Sequence, residues 1–238
     1  MTTKIPVTVL GATGVVGQRF VRRLANHPLF RVAHLAASER SSGKRYRDAC
    51  AWRLDGEPYG GLGDMMMVDG TPESALSPVV FSALDTAPAK ELEPQFAKAG
   101  ALVFSNAAAF RMSPEVPLLV PEVNAPHLGL LDLQRHHHGW TGGIVTNANC
   151  TATVLVMALA PLHEAFGVEA VMMTSMQAIS GAGYPGVPSL DILGNVIPFI
   201  RNEEPKVEEE TPKMLGRFTG QGVALAPMAV SALCHRVP

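Results

Sequence analysis

What this chain lacks narrows it first. Its three cysteines, Cys50, Cys150 and Cys234, are odd in number, far apart and form no CxxC pair, which argues against a disulfide framework and against a zinc site. A reducing, cytoplasmic setting is the expectation. Net charge is only −2 with both signs dispersed, so there is no electrostatic footprint for nucleic acid or an anionic membrane. The longest nearly apolar run, around Thr153 to Leu162, is too short to span a bilayer, and the stretch from Met1 to Pro6 has no apolar signal-peptide core. His136, His137 and His138 are adjacent, so their side chains diverge, and they read as a polar loop rather than a metal tract. Met65, Met66 and Met67 have no histidine or cysteine near them in sequence and read as core filler. No metal is expected, and a small-molecule ligand remains as the default.

What is present is organised around Gly142-Gly143-Ile144-Val145-Thr146-Asn147-Ala148-Asn149-Cys150. A β-branched run reads as a strand, two asparagines break it, and an apolar segment, Thr151 to Phe166, follows with Leu155, Leu159, Leu162 and Phe166 at helical spacing. That places Cys150 at a helix N-terminus, where unpaired N–H groups and the helix dipole favour negative charge on sulfur. A buried cysteine acting as a small hydrophobe is the competing reading.

The N-terminal stretch supplies context. Ile5 to Leu10 reads as a strand, Gly11-Ala12-Thr13-Gly14-Val15-Val16-Gly17 as a glycine turn, and Val15, Val16, Phe20, Val21 and Leu24 as one face of a helix ending near Asn26. Gly11, Gly14 and Gly17 in the first βα turn let the backbone approach a pyrophosphate, which the helix N-terminus receives; Thr13, Val15 and Val16 line the same turn. A second strand, Val32 to Ala37, ends in Ser38-Glu39-Arg40-Ser41. Arg40 with the hydroxyls of Ser38 and Ser41 suits a 2′-phosphate, so NADP is favoured over NAD, while Glu39 in the same turn pulls the other way.

Strand and helix then alternate. Tyr46 to Gly70 is irregular, with a strand around Met65 to Val68; Val79 to Leu84 is a strand, Lys90 to Ala99 a helix, Ala101 to Phe104 a strand, and Val116 to Val123 strand-like. Alternation of this kind predicts an α/β fold with a doubly wound parallel sheet of Rossmann type. Arg111 is the one charge in the loop after Phe104, at a strand end where α/β folds place ligands. Beyond the cysteine helix, Gly167 is a stop signal, Val168 to Met176 a strand, Gln177 to Gly186 a glycine-rich loop, Glu203 to Leu215 a charged helix interrupted or restarted at Pro212, and Val223 to Leu233 strand-like.

Blocks along nearly the whole length, among them GATGVVGQRF, SNAAAFRM, VPLLVPEVN, TNANCT, QAISGAGYPGVPSLDILGNVIP and EETPKMLG, resemble aspartate-β-semialdehyde dehydrogenase of the archaeal and fungal branch. The resemblance implies an NADP-binding domain over 1–148 and a catalytic and dimerisation α/β domain over 149–238, similar to that of glyceraldehyde-3-phosphate dehydrogenase. It implies a cytoplasmic homodimer or homotetramer that reductively dephosphorylates aspartyl-4-phosphate in lysine, methionine and threonine synthesis. By the same resemblance Cys150 is the nucleophile, Gln177 holds the acyl-enzyme, and Ser180 and Gly181 meet the nicotinamide side of the cofactor. Arg111, Asn149 and Lys213 surround the phosphate, Glu210 meets the substrate ammonium, and Arg236 its carboxylate. An acyl phosphate needs cations for its leaving group, and an amino acid needs one group of each sign, so the set is chemically coherent.

One departure stands out. The family's general acid/base is a histidine shortly after the arginine matching Arg236, in a segment these 238 residues do not contain; His235 precedes that arginine. The expectation is therefore a C-terminally shortened chain holding a partial site, with sheet edges left uncovered. Two alternatives stay open: a malonyl-CoA reductase-like paralogue using the same cysteine, and a non-catalytic protein for NADP binding or subunit association.

Overall fold

In the computed structural model, which describes residues 3–238, the elements are β1 (Ile5–Leu10), α1 (Val15–Leu24), β2 (Phe30–Ala37), α2 (Tyr46–Ala49), β3 (Val68–Asp69), α3 (Pro72–Ala75), β4 (Val79–Ser82), α4 (Thr86–Lys98) and β5 (Leu102–Ser105). There follow β6 (Leu118–Leu119), α5 (Pro121–Asn124), α6 (Leu130–His138), β7 (Gly143–Asn147), α7 (Cys150–Phe166), β8 (Ala170–Ala178) and α8 (Ser189–Ile192). The last are β9 (Ile197–Pro198), α9 (Glu203–Met214), β10 (Arg217–Phe218), β11 (Val223–Ala224) and β12 (Ala229–Val237). They form two compact units. Residues up to Pro117 join Leu128–Asn147 in the first, and Leu118–His127 joins Ala148–Pro238 in the second.

In the first unit the strands run β3-β2-β1-β4-β5-β7, each pair parallel. Strand order reverses between β1 and β4, and such a switch point is where doubly wound sheets open a crevice at their carboxyl ends. The buried residues form two clusters, one around Val7, Val9, Val21, Leu35 and Tyr46, the other around Val80, Phe96, Val103 and Ile144. The expected face of α1 shifts: Gly17, Gln18, Val21 and Leu24 are buried, whereas Val16 is 45% exposed. Gln18 is buried because its amide is fully used, donating to Thr13 O and Ala51 O and accepting from Arg53 N–H.

Two local expectations are corrected. The strand-like run from Val116 to Val123 yields only the short β6, because Pro121 opens the helical turn α5; a proline is favoured at that first position. The histidine tract ends helix α6, closed by Gly139 in the left-handed region, and is not a loop. His137 Nδ1 and His138 Nε2 both contact the Glu115 carboxylate, at 2.6 and 3.0 Å.

In the second unit β12 lies between β8, which it pairs in parallel, and β9, which it pairs antiparallel. Gly167 closes α7 in the left-handed conformation (φ 71°), its N–H donating to His163 O. The side of α7 that packs is not the leucine row: Ala152 and Val156 are buried beside Leu118, Val120 and Met214, while Leu162 and Phe166 are 49% and 83% exposed. The helix is apolar nearly all round, so periodicity does not select a face, and small side chains allow the closest approach. Pro212 lies inside a continuous α9.

Candidate active site

A helix that starts without a side-chain cap leaves its first N–H groups unsatisfied. At α7 Asn149 supplies that cap: Oδ1 accepts from Thr151 N–H at 2.9 Å and Ala152 N–H at 3.0 Å. Since both partners are donors, the oxygen must face the helix, which leaves Nδ2 as the donor Asn149 presents elsewhere. The Asn149 backbone N–H donates to Glu210 Oε2 at 2.6 Å. Cys150, the first helical residue, is exposed, whereas Cys50 and Cys234 are buried.

The parallel register of β8 and β12 sets Ser175 opposite Cys234 and Gln177 opposite Arg236. Alternation puts these four side chains on one face of the sheet and His235 on the other. Gln177 lies within β8, not in the loop beyond it. Its Nε2 donates to Thr151 Oγ1 at 2.8 Å and to Ser175 Oγ at 3.1 Å, and Thr151 Oγ1 donates to Glu203 Oε1 at 3.0 Å. Thr151 and Glu203 have no sequence signal beyond adjacency to Cys150 for the first. Burial pushes the Cys234 thiol up, a Ser175 hydrogen bond opposes this, and Cys150 is close enough to add to the rise.

Glu210 and Lys213 are 2% and 3% exposed on successive turns of α9. Burial pushes the Lys213 ammonium down to about 8, against the pull of the Glu210 carboxylate. Arg236 Nη1 donates to Ala178 O at 3.0 Å, and a Cβ at Gly181 would sit 3.0 Å from that nitrogen. The second unit thus holds Asn149, Cys150, Gln177, Gly181, Glu210, Lys213 and Arg236, with Ser180 in the same turn as Gly181. Its cleft of about 630 Å³, lined by Glu122, His127, His163, Glu164 and Arg217 among others, instead adjoins the far half of α7, roughly 15 Å along the helix from Cys150 at 1.5 Å per residue.

The first unit holds the remaining candidates. Gly11 has φ +70°, and a Cβ there would lie 2.6 Å from Ala83 O; at Gly17 it would lie 2.1 Å from Gly11 O. The backbone is therefore tightly folded around the turn. No side chain caps α1 and no acid occupies its first turn; Gly14 N–H is given to Gly11 O at 3.1 Å, so the N–H groups at Val15, Val16 and Gly17 are left for an anion, and Thr13 is occupied through its carbonyl by Gln18. This fits a pyrophosphate. Beyond β2, Ser38 and Glu39 line a cleft of about 440 Å³ with Asp69, Gly70 and Thr71; Arg40 stands exposed in the next position, and Ser41 N–H turns back onto Ser38 O. Arg111 is 9% exposed, with Nη2 donating to Asn106 O at 2.9 Å.

Residues 6–130 match the semialdehyde dehydrogenase NAD binding domain, and 159–238 match the semialdehyde dehydrogenase dimerisation domain. An aspartate-semialdehyde dehydrogenase of Archaeoglobus fulgidus is 53% identical over 98% of this chain and 67% of its own length, and one from Cryptococcus neoformans is 46% identical over 99% and 67%. The chain belongs to the aspartate-semialdehyde dehydrogenase family. Among solved structures of that family, the Candida albicans enzyme with NADP has a TM-score of 0.88 and 39% identity, covering 99% of this chain and 68% of that one. The chain spans about two thirds of the length of these relatives. Family membership agrees with the resemblance read from GATGVVGQRF and TNANCT, and with the α/β fold in which a Rossmann-type sheet precedes a dimerisation domain. Among the described residues no helix is long and apolar enough to cross a membrane, and no group of His, Cys, Asp and Glu could hold a metal.

Proposed function

We propose that this chain carries the cysteine and cofactor machinery for NADPH-dependent reduction of aspartyl-4-phosphate to aspartate-4-semialdehyde. The single observation that carries the reading is Cys150 exposed at the capped N-terminus of α7, with the cationic Lys213 and the donor end of Asn149 in the same unit. Cys150 Sγ attacks the acyl carbon, the C–O bond to phosphate breaks, and a thioester forms as inorganic phosphate departs. Lys213 and Asn149 Nδ2 meet the departing phosphate, Arg236 the substrate carboxylate, and Glu210 the ammonium; the family resemblance adds Arg111, of the first unit, as a further cation for the phosphate. NADPH, when bound by the glycine turn and by Ser38, Arg40 and Ser41, supplies the hydride that turns the thioester into the aldehyde. Ser180 and Gly181 would hold its nicotinamide end.

The match to a dimerisation domain implies assembly with a second copy, and this domain has a fitting surface. Met172 and Met176 on β8 are 90% and 72% exposed, on the side of the strand away from Gln177, and a second copy of the chain would cover them as a homodimer or as half of a homotetramer. The activity is tested in reverse, by following NADPH formation from aspartate semialdehyde with inorganic phosphate and, separately, with coenzyme A. Any turnover is expected to need phosphate; turnover supported by coenzyme A alone would reassign the chain to malonyl-CoA reductase-like chemistry.

A further inference from the structure

A carboxylate only accepts hydrogen bonds, and a hydroxyl has one hydrogen to give. Glu203, the first residue of α9 and 8% exposed, takes that hydrogen from Thr151 Oγ1. Thr151 Oγ1 can then meet Gln177 only as an acceptor, so the end of the carboxamide facing it has to be the NH₂ group. Nε2 indeed donates there at 2.8 Å and gives its second hydrogen to Ser175 Oγ at 3.1 Å. Both donors of Gln177 are therefore spent inside the protein. Its Oε1 accepts nothing from the described residues and is not among the buried unsatisfied atoms.

An amide is nearly symmetric in shape, so only its partners decide which end points where. Turning this one over would set Oε1 against the lone pairs of Thr151 Oγ1 and forfeit both donated bonds. We propose that Glu203 is a positioning residue that, through Thr151, locks Gln177 with its oxygen outward, so that Gln177 reads a hydrogen-bond donor on the substrate. On an acyl chain attached to Cys150 that donor is a second N–H of the α-ammonium whose charge Glu210 meets, so the lock adds to selection of aminoacyl over plain acyl substrates. This rests on the proposed reading of Gln177 as a contact of the acyl-enzyme.

Two readouts test it on Glu203→Leu, Thr151→Val and Thr151→Ser, each checked for an unchanged circular dichroism spectrum; leucine is chosen because a glutamine would keep an oxygen able to accept from Thr151 Oγ1. The first needs no turnover: the Gln177 side-chain NH₂ signals in a nitrogen–proton correlation spectrum, assigned by their loss in Gln177→Met. The wild type and Thr151→Ser should show two separate, slowly exchanging protons, and Glu203→Leu and Thr151→Val should lose that protection. Unchanged signals in Glu203→Leu would overturn the lock. The second compares kcat/KM for aspartate semialdehyde with that for succinate semialdehyde, its analogue without the amine. The preference for the amine should fall about tenfold in Glu203→Leu, the worth of one hydrogen bond, and stay at the wild-type value in Thr151→Ser. A preference left intact while the NH₂ signals collapse would overturn the role in selection. A wild type with protected signals that turns over with coenzyme A alone would count against the proposed function and leave the lock standing.

Discussion

Asn149 has two tasks, and one pair of substitutions separates them. Its Oδ1 caps α7 through Thr151 N–H and Ala152 N–H, while its Nδ2 faces away from the helix as a donor beside Cys150. Asn149→Ala removes the cap and should cost about 1 kcal/mol of stability, a fall in Tm of about 2–4 °C for a chain of this length. It adds no charge, so alkylation of Cys150 by iodoacetamide should slow by less than about threefold, within the spread of a helix-end effect of about 0.3–1 kcal/mol. Asn149→Asp keeps both accepted bonds but puts a carboxylate next to Cys150 and onto a residue whose own N–H is already held by Glu210. A carboxylate one residue from a developing thiolate opposes its charge, and solvent at the exposed sulfur screens part of the repulsion. Alkylation should slow by more than in Asn149→Ala. The assay is the second-order rate constant with iodoacetamide, with Cys150→Ser as the blank, because Cys50 and Cys234 are buried. If Asn149→Asp alkylates as fast as the wild type while Asn149→Ala is slow, cap geometry rather than local charge governs the thiol, and the electrostatic argument fails.

Arg40→Ala should weaken NADP binding about tenfold or more and leave NAD almost unchanged, since a charge-assisted bond to a 2′-phosphate contributes about 1.5–3 kcal/mol; fluorescence titration with both cofactors checks it, and equal losses would remove Arg40 from the site. Lys213 titrates at about 8 in the folded chain against an ordinary 10.5, so its burial cost is fully present below pH 8 and is relieved as pH rises towards 10.5. The stability of the wild type relative to Lys213→Met should therefore rise across that window by denaturant titration, while phosphate-dependent turnover falls from pH 8 upwards; a flat difference in stability would contradict the assignment. Gly17→Ala should destabilise by about 1–3 kcal/mol through overpacking and abolish cofactor binding, because its Cβ would meet Gly11 O at 2.1 Å. Gly14→Ala, whose Cβ meets only Gly11 O at 3.5 Å, should keep its thermal midpoint, and an equal loss in both variants would show that crowding is not the reason for Gly17.

The readable parts of this fold are those in which a residue type has few uses. Gly11 and Gly17 sit where a side chain would strike backbone, Gly167 where φ is 71°, and Cys150 after a capping asparagine, so each could be placed from its neighbours in sequence. Where a segment satisfies more than one reading, the sequence runs out. An all-apolar α7 does not say which face is buried, and the leucine row proved partly exposed. Gln18 and Glu93 look like surface residues of their helices, yet both are buried. Glu93 accepts from Ser105 Oγ at 2.6 Å, and burial pushes its carboxyl up. Such partners lie on other elements, and no local periodicity encodes them.

The acidic run of α9 makes the same point in its chemistry. Glu203, Glu204, Glu208 and Glu210 read as a charged helix surface, and each is tied to a separate donor. Glu208 Oε1 accepts from Ala232 N–H at 3.0 Å and Glu204 Oε1 from Cys234 N–H at 3.1 Å. These two donors have the same parity on β12, so they lie along one edge of the strand. On that edge β9 pairs only His235 and Arg236, and the N–H groups before them have no strand to meet. Buried donors without partners are costly, and acceptor-only side chains from the packed helix satisfy them. The helix that covers this edge also brings Glu203 to Thr151 and Glu210 to Asn149, so closing a sheet edge and orienting the cysteine loop are one arrangement of carboxylates.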